Sequence, residues 1–531
     1  MRSRPRSHPR LATLAVLAAT AASAVLVAPS ANAAPTPTGP EPVAPVMDCD
    51  ELTQLRLPNT TVAEAMSDAG DQTTPASCRV TLTVDDPEDT GRVTVWVYLP
   101  ESTWNGRFQG VGGGGFSGGS AERLIAPLSA GYAAAATDAG HVGSAGTFGL
   151  NPDGTPNEPA REDFGHEGVH DMTVTAKAVV SAYYGQAPAY SYWNGCSTGG
   201  RQGLMEAQKY PEDYDGILAG APVINFPEMQ TGQIWGQIVM LQENNPIPAC
   251  KFETALAAAI KACDTVGDGV VDGVIGDPFA CDFDLTTLIG TETACGTITA
   301  EDVAVMQRIH EGPRGTDGRF LWYGLPYGAP YAGLHDVTLD PATGQLVGAP
   351  FIYDIWWIRY FLTDDPAFDW RTLDYASFEG LFDLAVERYG DMMGASDPDL
   401  SAFRESGGKL LMWHGLADFG VTVKGTVDYY ERVLDELGRG HTQQFVRLFL
   451  APGVGHCGGG AGAQLIDPFS ALVEWVENGK TPGTLDARTT AGATRTVCAY
   501  PFVAQWTGRG DSADASTYRC VPATRMELRQ A

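Results

Sequence analysis

The heptapeptide Asn194-Gly195-Cys196-Ser197-Thr198-Gly199-Gly200 constrains the fold most. Gly195, Ser197 and Gly199 make G-x-S-x-G between a predicted strand (190–193) and a predicted helix (201–209). A serine at the tip of such a turn has a strained backbone, and the flanking positions must lack side chains for neighbouring segments to pass. Its Oγ then stands above a sheet, while the Thr198 N–H at the helix start points at a developing oxyanion. Apolar periodicity supplies that sheet. It predicts strands at 80–84, 93–99 and 107–111, a helix-to-strand passage over 124–136, a helix over 169–184 and a strand at 216–219. This alternation implies an α/β domain whose mainly parallel sheet is covered on both faces.

The rhythm stops at Pro222 and returns as strand 409–413, helix 423–437, strand 445–450 and helix 465–477. One α/β domain, 48–222 and 406–531, is therefore expected to be split by a lid domain at 223–405. Ahead of it, four arginines (Arg2, Arg4, Arg6, Arg10), an apolar run from Leu11 to Val27 and Ala31-Asn32-Ala33 read as a signal peptide over 1–33, followed by a Pro-rich, poorly ordered linker over 34–47. Export to an oxidising compartment suits the even number of cysteines, 10, and five disulfides are expected. The net charge of -30 excludes a phosphate backbone as partner, and beyond the signal no stretch approaches a membrane span.

Ser197 needs a base and an orienter. In the order Ser, Asp, His, the candidates at the ends of the last two strands are Asp418 and His456, where open α/β sheets place their sites. His456 would take the Ser197 proton, and Asp418 would fix the imidazole tautomer and stabilise its cation. Cys196 precedes the serine and Cys457 follows the histidine. If they pair, the bond ties the nucleophile turn to the base loop and stabilises by roughly 5 kcal/mol on the loop-entropy argument.

The run Gly112-Gly113-Gly114-Gly115 follows a strand and can offer a second oxyanion donor. Its G-x-G-x-x-G reading as a dinucleotide site fails, because no acidic residue follows at a second strand end and no Lys-Ser or Lys-Thr completes a P-loop. In the lid, Asp264, Asp268 and Asp272 alternate with glycines in a tight loop, a set of hard oxygen donors that suits Ca²⁺ but is not an EF-hand. Acidic turns without metal remain the other reading. Trp356, Trp357, Tyr360 and Phe361 either line a pocket for a planar acyl group, with Arg359 facing a carboxylate or phenol, or form the lid core.

Gly-Cys-Ser-Thr-Gly-Gly at 195–200, His-Gly-x-x-Asp at 414–418 and Gly-x-x-His-Cys at 453–457 closely resemble the tannase and feruloyl esterase family, secreted α/β-hydrolases that include the enzyme hydrolysing mono(2-hydroxyethyl) terephthalate. The resemblance runs from about Asp48 to the C-terminus. It implies an α/β-hydrolase fold with a large inserted lid, Ser197, Asp418 and His456 as triad, Thr198 with Gly114 or Gly115 as oxyanion hole, and His414 at the pocket wall. It also implies a structural Ca²⁺ held by Asp264, Asp268, Asp272 and the carbonyls of Val270 and Val274, in a pattern lengthened by one residue between Asp264 and Asp268. By it Cys196 pairs with Cys457, Cys49 with Cys78, Cys263 with Cys281 and Cys498 with Cys520, which leaves Cys250 with Cys295. The implied activity is that of a secreted serine carboxylesterase acting through an acyl-enzyme on small aromatic or plant-polymer esters: feruloyl, hydroxycinnamoyl or galloyl. Three alternatives stand beside it: a terephthalate monoester hydrolase, an inactive calcium-stabilised binding protein and a peptidase sharing the triad.

Overall fold

Nine strands pair into one sheet in the computed structural model, which describes residues 42–86 and 91–523. They are β1 (Thr60–Asp68), β2 (Ser77–Asp85), β3 (Arg92–Pro100), β4 (Arg107–Val111), β5 (Ala133–Thr137), β6 (Tyr190–Cys196), β7 (Gly216–Gly220), β8 (Lys409–Gly415) and β9 (Val446–Ala451). The spatial order is β1-β2-β3-β5-β4-β6-β7-β8-β9. From β5 to β9 neighbours run parallel, whereas β1, β2 and β3 pair antiparallel with one another and β3 with β5. Central strands are buried on both faces, as β5 and β7 are throughout, and so read as apolar runs rather than as alternation.

Helices α1 (Gly168–Tyr184), α2 (Thr198–Lys209), α3 (Ala249–Cys263), α4 (Tyr375–Met393), α5 (Val423–Leu437) and α6 (Pro468–Asn478) match or bracket the expected pattern where one was read. α6 starts later than its periodicity suggests because the Asp467 carboxylate caps it, accepting the Ser470 N–H at 3.1 Å. β1 has no counterpart in the sequence reading; as a largely exposed edge strand it lacks the apolar alternation that marks β2 and β3.

Two large apolar cores divide the work. One joins the sheet to its helices through Phe108, Trp193, Leu410 and Tyr429. The other lies inside the inserted segment, around Trp235, Trp322, Trp357, Phe378 and Tyr389, and it also takes Phe116 from the loop after β4. The insertion is therefore packed on its own core and anchored to that loop. Residues 1–41, which include the expected signal peptide and most of the linker, lie outside the described residues. Linker residues 42–47 are more ordered than composition implies: the Val43 N–H bonds the Trp104 carbonyl at 3.0 Å and the Val46 N–H the Tyr183 carbonyl at 2.9 Å. All five expected disulfides are formed, and no helix of the described residues is long and apolar enough to cross a membrane.

Candidate active site

Ser197 sits between β6 and α2 with φ 63° and ψ -124°, a left-handed conformation that an L-residue holds only when its surroundings impose it. The Ser197 N–H bonds the Gly220 carbonyl at 2.9 Å, and the Ser197 carbonyl accepts from Arg201 N–H at 3.0 Å and Val223 N–H at 3.3 Å. Close approach requires glycine at 195 and leaves little room at 199. A Cβ at Gly195 would stand 2.3 Å from the Gly199 carbonyl oxygen, and one at Gly199 would stand 3.1 Å from the Gly112 Cα.

The Ser197 hydroxyl donates to His456 Nε2 at 2.8 Å, and His456 Nδ1–H donates to Asp418 Oδ2 at 2.7 Å. The Cys196–Cys457 bond spans the two loops, with Cα atoms 5.9 Å apart. Asp418 is fully buried, and each of its oxygens accepts two hydrogen bonds. Oδ1 takes Gly420 N–H at 2.8 Å and Val421 N–H at 2.9 Å, while Oδ2 takes His456 and also His414 Nε2–H at 3.1 Å. Burial alone would raise its pKa, but the hydrogen bonds and charges of the two imidazoles hold it well below the usual carboxylate range. For His456, burial works toward the neutral form and the Asp418 carboxylate outweighs it, so its pKa is raised above the ordinary imidazole value.

His414 stands elsewhere than expected. It is wholly buried behind Asp418, with Nε2 shared between that carboxylate and the Val421 carbonyl at 3.0 Å and Nδ1 on the Thr426 hydroxyl at 2.8 Å. It is an anchor for Asp418 rather than a wall of the pocket.

A cavity of about 190 Å³ opens on Ser197, Thr198, Gly115 and His456. The two glycine candidates differ in what their N–H groups meet. The Gly114 N–H is already spent on the Ser117 carbonyl at 3.2 Å, in a local bridge that turns the chain. The N–H groups of Gly115 and Thr198 meet no acceptor among the described residues, and the Thr198 hydroxyl donates to the Gly115 carbonyl at 2.5 Å, fastening the two donor segments together. Behind them Gln202 receives the Gly113 N–H at 2.9 Å and donates to the Gly118 carbonyl at 2.9 Å, which fixes the glycine loop.

The cavity wall is aromatic, from Phe226, Phe351, Tyr353 and Phe419, with Gln230 and Gln233 as neutral polar groups. None of these residues stands out by motif, because they come from separate segments. Phe419, adjacent to Asp418, was the one within reach of the sequence. Gln230 donates to Asp354 Oδ1 at 3.3 Å, and burial pushes that carboxyl well above its ordinary pKa. Neither Trp357, expected in the pocket wall, nor Arg359, expected to face a carboxylate or phenol there, lines the cavity. Trp357 is 0% exposed and donates to the Thr231 hydroxyl at 2.9 Å, deep in the lid core, while Arg359 Nε donates to the Phe368 carbonyl at 2.9 Å. Trp356 is half-buried and packs edge-on against Tyr353, with ring centroids 5.3 Å apart, so it backs a lining residue without lining the cavity.

The acidic loop follows α3 and winds through left-handed glycines at 267, 269 and 273. Asp264 Oδ1 accepts the N–H groups of Asp272 at 3.0 Å and Gly273 at 2.8 Å, Asp268 Oδ1 accepts Val270 N–H at 2.9 Å, and Asp272 pairs with Arg495 at 2.9 Å. Burial pushes the Asp268 carboxyl up to about 6, and the nearby charges of Asp272 and Asp264 add to the shift. Three carboxylates on one loop are the kind of hard donor Ca²⁺ takes, but among the described residues they do not bring one oxygen each within 4.8 Å of one another, and they are held by backbone N–H groups and by Arg495, so an ion would have to draw them together.

Fold and nucleophile turn together define an α/β-hydrolase, and the chain is a carboxylic ester hydrolase. It belongs to the tannase and feruloyl esterase family, whose model matches residues 78–521. It is 42% identical over 462 residues to a probable feruloyl esterase of Arthroderma benhamiae, covering 84% of this chain and 85% of the relative. To feruloyl esterase B of Aspergillus niger it is 31% identical over 470 residues, covering 84% and 86%. The crystal structure of an esterase from Aspergillus oryzae superposes with a TM-score of 0.79 at 26% identity, covering 89% of this chain and 99% of that one.

Proposed function

We propose that this chain is an exported serine esterase that cleaves esters of aromatic acids through an acyl-enzyme, with Ser197 as nucleophile, His456 as general base and acid, and Asp418 as its orienter. The observation that supports it most is the unbroken chain Ser197–His456–Asp418 opening into an aromatic cavity beside two unengaged N–H groups. Ser197 Oγ attacks the acyl carbonyl as its proton passes to His456 Nε2, the carbonyl oxygen collects the Thr198 and Gly115 N–H groups, and His456 protonates the departing alcohol. Water then repeats the attack on the acyl-serine. Feruloyl and galloyl esters suit the cavity better than terephthalate monoesters, since none of the described lining residues is Lys or Arg and a buried carboxylate without a partner is costly. Five disulfides suit an extracellular setting.

The test is a hydrolysis panel of methyl ferulate, methyl p-coumarate, methyl gallate and mono(2-hydroxyethyl) terephthalate. The first three are expected to be turned over with the higher kcat/KM, and a preference for the terephthalate ester would overturn the assignment of the cavity. Across pH, kcat/KM should fall on the acid side as His456 takes a proton, with a midpoint above the ordinary imidazole value. Asp418 stays ionised throughout that range and adds no limb of its own.

Calcium on the acidic loop is proposed as a clamp on the lid. When bound it would supply positive charge to Asp264, Asp268 and Asp272 and cross-link the loop. Here Asp272 holds Arg495 of the C-terminal strands, and the Asp268 carbonyl accepts the Trp506 N–H at 2.9 Å, so the loop joins lid to tail. Chelation is expected to lower Tm by several degrees, because an ion bound only by the folded form stabilises it by about 2.7 kcal/mol at a hundredfold excess over Kd. Asp272→Ala should mimic chelation. Unchanged melting in chelator would remove the ion from the loop.

A further inference from the structure

A second cavity, of about 420 Å³, lies on the lid side of His456, and His456 and Phe419 line both it and the 190 Å³ cavity at Ser197. We infer that this larger cavity receives the alcohol half of the ester and selects a bulky apolar alcohol over a sugar. The inference rests on the esterase reading above and adds to it the class of leaving group.

The geometry follows from the chemistry. As Ser197 Oγ bonds to the acyl carbon, the carbon–oxygen bond to the alcohol breaks, and the alcohol oxygen takes from His456 Nε2 the proton that Ser197 gave up. That oxygen must therefore lie against the imidazole while the acyl half occupies the cavity holding Ser197, Thr198 and Gly115. The alcohol is left to extend past His456 and Phe419. What it meets there is apolar. Leu256 and Ile260 stand one turn apart on α3, Val274 and Ile275 close the side from the acidic loop, and Gly453 and its neighbours leave the floor without side chains. The Tyr327 hydroxyl is occupied, donating to the Phe283 carbonyl at 2.8 Å, so that residue offers only its ring. Among the described residues no Asp, Glu, Lys or Arg lines the cavity. Apart from His456, no free polar side chain of the lining would meet sugar hydroxyls buried there in place of their water, whereas each methylene transferred would gain binding. The alcohol cavity is also the larger of the two.

The experiment compares methyl, butyl and 2-phenylethyl ferulate with a feruloylated arabinose. KM should drop roughly threefold to fourfold for each added methylene until the cavity is full, with kcat little changed, because contacts remote from the reacting atoms are made equally in ground and transition states. Leu256→Asn and the filling variant Ile260→Trp should penalise the phenylethyl ester about tenfold more than the methyl ester. A separate readout does not depend on hydrolysis: binding of free 2-phenylethanol to Ser197→Ala protein, followed by ligand-observed NMR, should be seen and should be lost in the Ile260→Trp background. A flat KM across the alcohols, a preference for the arabinose ester, or no binding of the free alcohol overturns the inference. Failure to hydrolyse any ferulate while the alcohol still binds overturns only the esterase reading.

Discussion

Ser197→Ala is expected to leave a folded protein whose kcat has fallen by at least about 10⁴-fold. Among the described residues the side chain makes one polar contact, 2.8 Å to His456 Nε2, so its removal unmakes no other hydrogen bond. The turn is held instead by backbone bonds to Gly220, Arg201 and Val223, none of which uses the hydroxyl, and alanine bears the φ of 63° about as poorly as serine does. Tm should stay within a degree or two of the parent. Labelling by a fluorophosphonate should vanish with activity, since the probe needs the same oxygen. His456→Ala should cost nearly as much and the double variant scarcely more, because members of such a relay act as one unit. Near-parental hydrolysis by Ser197→Ala protein would remove the nucleophile from the mechanism.

What the sequence reveals and what it hides divide along a physical line. Requirements of the local backbone are written in local residues. The need for glycine at 195 follows from a contact of 2.3 Å with backbone that any side chain would violate, position 199 is tight at 3.1 Å, and this shows in the motif. Strand ends that carry Asp418 and His456 are legible for a similar reason, since a buried parallel strand is a short apolar run with turn residues after it. The choice between Gly114 and Gly115 is not legible, because it depends on a bridge to Ser117 that consumes one N–H and frees the other. The aromatic helix of the lid shows the same limit. Its spacing predicts a helix, found at Ile352–Trp357, but periodicity does not say which face meets the core and which the cavity. Trp357 turned inward, and Tyr353, one turn earlier, faces the substrate side over Gly115. His414 misleads for a related reason: four positions before Asp418 at a strand end, it lies on the buried side of the carboxylate.

Asp418→Asn is expected to lower kcat about 10⁴-fold while a native-like fold persists. The carboxylate is surrounded by four donors: Gly420 and Val421 N–H on Oδ1, His456 Nδ1–H and His414 Nε2–H on Oδ2. His414 cannot relent, for the same Nε2 also faces the Val421 carbonyl and must keep its proton. A carboxamide in that place directs its NH₂ either at two backbone N–H groups or at two imidazole N–H groups. The second arrangement is relieved only if His456 moves its proton to Nε2 and accepts at Nδ1. An Nε2 that carries a hydrogen cannot take one from Ser197, so the hydroxyl is still in contact but no longer activated. A buried mismatch remains in either orientation, at the Gly420 and Val421 N–H groups in the first and at His414 in the second, and should lower stability by about 1–3 kcal/mol, the usual cost of an unsatisfied buried polar group. The loss of rate is expected to exceed by far what that destabilisation explains, and kcat/KM measured well below Tm, beside circular dichroism of the same sample, separates the two. If Asp418→Asn protein keeps more than a tenth of parental kcat, the tautomer of His456 is set by some group other than Asp418.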